Sequence, residues 1–217
     1  MKLSVALFPV SLVFTSMLLA PAAVAQSDSS GDWLDGASNW NMPGAPIPQA
    51  PAPDGDNKLP NCEDTFRLAS LPEDELVQAA GWTLVGIARI QGAITVITGM
   101  ADADGMCRPW DYQVFVFKDG EFAGTLSPTP MDSRRDGSLS EVNLYREENI
   151  RTYREGHIGA TFSRYTPEDP FCCPSEISRL YYEVEMKGGS PVLVPHLPAS
   201  TPPNKLLHTL ENPSGGS

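Results

Sequence analysis

Histidine and cysteine are scarce in this chain, three and four among 217 residues, and the thiols show no Cys-x-x-Cys spacing. That spacing is what a thiolate zinc site or a thiol redox centre requires, so neither is expected. Basic residues are also few, 15 Lys and Arg against 27 Asp and Glu, for a net charge of −12. A duplex binder needs cations to displace condensed counterions from phosphates, so no nucleic-acid partner is expected, and anionic lipid would repel the same charge. There is no Gly-x-Ser-x-Gly elbow, no Gly-rich phosphate loop and no cofactor box, so no cofactor is expected.

Only one run is long and apolar, Leu3 to Leu19. Lys2 before it and Ala23-Val24-Ala25 after it make residues 1–25 read as a secretory signal peptide rather than a retained anchor, since the run breaks at Pro21. Position 26 is Gln, so the Cys that would carry a bacterial lipid is missing. The expected product is secreted, periplasmic or extracellular, with no membrane span after signal removal.

The 21 prolines concentrate at the two ends of what remains. Residues 26–60 form a Pro/Gly/Asp-rich linker, expected as a disordered, extended spacer, and residues 196–217 a disordered tail. Trp33 and Trp40 are unusual for a linker and either dock on a folded surface or stand exposed. The folded domain is placed at 61–195.

Within it the expected class is α+β, mainly antiparallel β-sheet with one short N-terminal helix. Ser70 as N-cap, Pro72, three acids and Gly81 bound that helix. Trp82 to Ile90 and Ala93 to Thr98 then read as strands about a turn at Gly92. Tyr112 to Phe117 and Glu121 to Thr125 flank Asp119-Gly120, whose positive φ angles suit a tight hairpin. Ser138 to Glu155 is ambiguous, with strands favoured over a helix, and Ile158, Ala160 and Phe162 alternate as a strand. Leu180, Tyr182, Val184 and Met186 alternate with polar residues, a strand with one buried face.

Four cysteines in an exported chain point to disulfides. Bonding Cys172 to its neighbour Cys173 closes a strained ring. The expectation is therefore that each of these two reaches back, one to Cys62 and one to Cys107.

Asp104-Gly105-Met106-Cys107-Arg108-Pro109, the aromatic strand and Gly124-Thr125 that follow, and later Arg164-Tyr165 with Asp169-Pro170-Phe171-Cys172-Cys173-Pro174-Ser175 resemble the LppP/LprE family of bacterial envelope proteins over roughly Trp82 to Met186. The Asp-Gly-Met-Cys-Arg-Pro variant with paired Cys is similar to the cyanobacterial form. The resemblance implies an exported protein without an assigned biochemical role. Many relatives are lipoproteins, a pattern from which this chain departs at position 26, and the family supplies no catalytic residues to carry over.

Chemistry-bearing candidates are few. Arg108, Arg134, Arg135 and Arg164 lie beside or within these blocks, and guanidinium forks grip carboxylate or phosphate at two points. They are candidate ligand-binding residues; pairing with Asp132, Asp136, Glu168 and Asp169 is the structural alternative. Asp102, Asp104 and Asp111 offer alternating oxygens around a Gly turn, a calcium candidate without the closing Glu of an EF-hand loop. The long loop from Leu126 to Gly137 is a position where binding often resides. The function expected is a non-catalytic binding or scaffolding module of the periplasm or envelope, its partner an envelope protein or an anionic cell-wall ligand. The competing reading is an envelope hydrolase acting on glycan or peptide through paired carboxylates, with Asp104 among its candidates.

Overall fold

The structure is a computed structural model that describes residues 31–36, 38–52, 58–144 and 157–196. The expected signal peptide, most of the expected C-terminal tail and the second half of the ambiguous 138–155 stretch lie outside the described residues. One helix, α1 (Pro72–Ala79), precedes β1 (Thr83–Gln91), β2 (Ile94–Ala103), β3 (Pro109–Lys118), β4 (Glu121–Thr125), β5 (Leu139–Leu144), β6 (His157–Arg164), β7 (Glu176–Lys187) and β8 (Ser190–His196). The strands form two antiparallel sheets, β1-β2-β3-β4 and β5-β6-β7-β8.

Alternation decides which residues meet. Val85, Val96, Met100, Val114, Val116 and Ala123 of the first sheet face Val142, Ile158, Phe162, Tyr182 and Leu193 of the second in one shared core. The opposite face of the first sheet carries Leu84, Ile97, Phe115 and Phe117, and Val77 of α1 with Ala80 directly after it covers that face. With both faces buried, β3 reads as a nearly continuous apolar run. The second sheet buries one face, so β7 alternates polar and apolar residues.

The β3–β4 turn is the hairpin expected from its residues. Lys118 pairs with Glu121, and Asp119 and Gly120 take φ of 51° and 80°, the backbone twist a two-residue turn needs. The helix starts differently from expectation. Leu71, not Ser70, is the N-cap, because the Asp74 carboxylate reaches back to accept the N–H groups of Ser70 and Leu71 at 2.9 and 3.0 Å. Arg67 grips the same carboxylate with both terminal nitrogens, at 2.6 and 2.5 Å.

The linker is where the chain departs most from expectation. Over its described residues it lies along the domain rather than extending away as a spacer. Trp33 packs edge-on against Phe162 and against Trp40, Trp82 Nε1 donates to Pro48 O at 2.7 Å, and Ala50 N donates to Ala80 O. Asn41 is buried in the seam between β4 and β8. Its Nδ2 donates to Thr125 O and Leu193 O, and its Oδ1 accepts from Thr125 N. One linker side chain thus replaces the ladder between two sheets that do not pair there. Gly124 is required beside it, since a Cβ on Gly124 would stand 2.4 Å from the Asn41 side chain at a φ of +148°. At the opposite seam Arg89 donates to Val142 O.

Strand β8 was not foreseen because of Pro191 and Pro195. The Leu193 carbonyl points at Asn41, away from β7. Residues 191 and 195 share that orientation two positions to either side, so each ring sits where an N–H would not have joined the ladder.

Cysteine pairing also differs from expectation. Cys62 bonds Cys107, and Cys172 bonds Cys173. The Lys58 N–H donates to Asp102 Oδ1 at 3.0 Å, docking the segment before the helix onto the end of β2. That leaves the Cα atoms of Cys62 and Cys107 5.4 Å apart, within the span of a disulfide, and the two neighbouring thiols have only each other.

Candidate functional site

Three loops beside or within the resembling blocks meet at one end of the sandwich. The first, joining β2 to β3, is held by Asp104, which accepts from the N–H groups of Met106 and Arg108 at 2.8 and 3.0 Å and pairs with the Arg108 guanidinium. Burial alone would raise the Asp104 carboxyl, yet those N–H groups and Arg108 together hold it below the ordinary carboxylate range. Asp102 is engaged by the N–H groups of Lys58 and Ala103, and Asp111 N donates to Asp132 Oδ1 at 2.9 Å. The structure therefore uses Asp102 to dock Lys58 and Asp104 to hold the turn, and does not gather them with Asp111 into a metal-binding group.

The second loop, from Leu126 to Ser138, is anchored at its start by a buried pair. Gln113 Nε2 donates to Ser127 O at 3.1 Å, and Ser127 Oγ donates to Gln113 Oε1 at 2.9 Å. Tyr112 and Met131 exchange two backbone bonds of 2.7 and 2.8 Å. The buried Tyr112 hydroxyl accepts the Leu139 N–H at 2.7 Å, and burial pushes that phenol far up. Arg134 and Arg135 are exposed at the loop's crest, Arg134 with a φ of 62°.

The third loop, between β6 and β7, is organised by Asp169. Its carboxylate accepts from Thr166 N, Ser175 N and Ser175 Oγ, and the Thr166 N–H foremost holds it below the usual range. Phe171 and the Cys172–Cys173 pair project from this loop and are exposed.

Arg135 links the second loop to the start of β3 and to the third loop. Its guanidinium carbon lies 5.7 Å from the Trp110 ring centroid and 5.3 Å from that of Phe171, within cation–π range of both. Phe171 is 63% exposed and Trp110 36%, so rings and charge stand open to solvent together. Among the described residues neither Arg134 nor Arg135 forms an ion pair.

The four arginine candidates thus part company. Arg108 is neutralised by Asp104. Arg164 is held bidentate by Asp35 at 2.8 and 3.1 Å and bonded to Asp136 at 2.9 Å, tying linker, loop and β6 together. Its pKa is raised above the ordinary value, the Asp35 hydrogen bonds being the largest cause. Only Arg134 and Arg135 present free guanidinium surface. Sequence reading missed Trp110 and Phe171. The signal was present, an aromatic residue directly after Arg108-Pro109 and another directly before the paired Cys, but exposure is a tertiary property.

Two shallow clefts lie elsewhere, of about 120 Å³ at the Arg89 seam and about 240 Å³ on the outer face of the second sheet. Each contains a single carboxylate, Glu141. Neither sets two acids against each other as glycoside hydrolysis requires, and both fall below the usual size of a small-molecule pocket. Among the described residues no helix is long and apolar enough to cross a membrane.

Fold and site together define a disulfide-bonded, two-sheet antiparallel domain whose distinctive chemistry lies on surface loops. Residues 93–186 match the LppP/LprE lipoprotein family, in agreement with the resemblance read from the sequence. The matched segment spans β2 to β7 and contains all three loops. No curated protein and no solved structure matches the chain.

Proposed function

We propose that the chain is an exported, envelope-associated protein and that its loop end is a non-catalytic binding surface for an anionic cell-wall ligand. The observation that carries this reading is Arg135 held between two exposed rings, Trp110 and Phe171, with unpaired Arg134 beside it. Exposed rings pack on the faces of sugars or peptide side chains, and guanidinium groups at their margin select carboxylate or phosphate. The apolar leader, the disulfides and the lipoprotein description of the matching family support an envelope location.

The test is co-sedimentation of the protein with purified cell-wall material, compared with Arg134→Ala/Arg135→Ala and Trp110→Ala/Phe171→Ala. Wild-type binding that weakens with salt and falls at least tenfold in both variants is expected. Equal binding by all three proteins, at unchanged melting temperature, refutes the surface.

A further inference from the structure

On the face of the second sheet turned away from the core, β6, β7 and β8 bring two imidazoles to one carboxylate. His157 pairs directly across from Glu183, and His196 pairs with Tyr181, which places it diagonally from Glu183 on the same face. His157 Nε2 lies 3.7 Å and His196 Nε2 3.9 Å from Glu183 Oε2. Glu185 follows two residues on along β7, and one ligand atom from each of Glu183, Glu185 and His196 falls within 4.8 Å of the others. Two of the chain's three histidines are thus directed at a single oxygen, on a face far in sequence from the loop arginines.

We propose that Glu183, Glu185 and His196, the three whose donor atoms converge, are a binding site for one divalent transition metal of the zinc class, with His157 beside Glu183 but outside that group. Imidazole nitrogen and carboxylate oxygen suit such ions, whereas calcium prefers oxygen alone. Metal–ligand bonds of about 2.0–2.1 Å set tetrahedral ligand atoms roughly 3.3 Å apart. Glu183 Oε2 and His196 Nε2, 3.9 Å apart, stand beyond hydrogen-bond length, and all three donor atoms lie within 4.8 Å of one another. The ligands stand on β7 and β8, which are hydrogen-bonded neighbours, so their backbone is already ordered. Lys187 Nζ pairs with Glu185 at 3.0 Å and competes with the metal for it.

The test is titration of the tag-free full chain with Zn²⁺ against a chromophoric chelator, with Ca²⁺ as comparison. One zinc per chain is expected, with little effect of calcium. His196→Ala and Glu183→Gln should each weaken binding at least tenfold, and Lys187→Met should tighten it. These side chains are on an exposed face, so the metal-free melting temperatures should match wild type and separate lost ligation from lost folding. Unchanged zinc affinity in a His196→Ala/Glu183→Gln double variant, or calcium binding as tightly as zinc, overturns the assignment.

Discussion

Replacing Asn41 with Ala tests whether a single linker side chain holds the two sheets together. The substitution removes three hydrogen bonds, to Thr125 O, Leu193 O and from Thr125 N, at 3.1, 3.0 and 2.9 Å. Thr125 O keeps a partner, since Trp40 Nε1 also donates to it at 3.1 Å. The Thr125 N–H and Leu193 C=O lose theirs, and both residues are buried, 6% and 0% exposed. Orphaning a buried polar group costs about 1–3 kcal/mol, so two of them give a loss of about 3 kcal/mol once partial access of water is allowed. For a domain of this size each kcal/mol moves the melting temperature by roughly 2–4 °C, which predicts a fall of roughly 6–12 °C. Asn41→Asp should be at least as harmful at neutral pH, because it keeps the acceptor for Thr125 N but turns a carboxylate towards two carbonyls. Met42, the next residue, is 68% exposed, and Met42→Ala should stay within about 0.5 kcal/mol of wild type. Thermal unfolding followed by circular dichroism compares all four proteins. If Asn41→Ala melts within about 2 °C of Met42→Ala, the seam does not depend on Asn41 and the reasoning fails.

The Cys62–Cys107 bond closes a separation of 45 residues, for which chain entropy predicts a loss of about 4 kcal/mol on removal. Cys62→Ala/Cys107→Ala should show it as a lower urea midpoint, whereas Cys172→Ala/Cys173→Ala, which closes no loop, should leave the midpoint nearly unchanged. Burial alone would raise the Asp74 carboxyl, but Arg67 and the Ser70 and Leu71 N–H groups outweigh it and hold the group below its ordinary value. A depressed carboxylate contributes stability above its unfolded-state pKa and loses it as pH falls through the folded-state value. Stability should therefore decline below about pH 4. Asp74→Asn, which breaks a pair whose acid is fully buried, should cost about 3 kcal/mol at pH 7 and flatten that acid limb in urea titrations between pH 7 and 3.

Several elements were legible in the residues because their physics is local. Asp119-Gly120 between two alternating runs specifies a hairpin through φ alone, and the polar–apolar alternation from Leu180 to Met186 specifies a strand with one wet face. The helix was legible in place but not in its cap, because Asp74 reaches back to accept the N–H groups of Ser70 and Leu71 and has Arg67 behind it. Of the arginine candidates, sequence identified the loops that converge. It did not distinguish Arg135, stacked between rings, from Arg164, locked by Asp35 more than a hundred residues away in the chain.

What the sequence by itself determined is most of the elements, though not β8, the faces they bury and the family resemblance, since periodicity, turn chemistry and motif spacing act over a few residues. Tertiary structure alone decided which elements are neighbours. It seated Asn41 and the tryptophans of the linker against the domain and paired Cys62 with Cys107. It also admitted Pro191 and Pro195 to an outer strand and aligned His157, Glu183 and His196 through the register of three strands. Each of these depends on contacts between residues distant in the chain, and such contacts form only when the two sheets close over their shared core. A period of two says which side a residue faces, never what it will meet there.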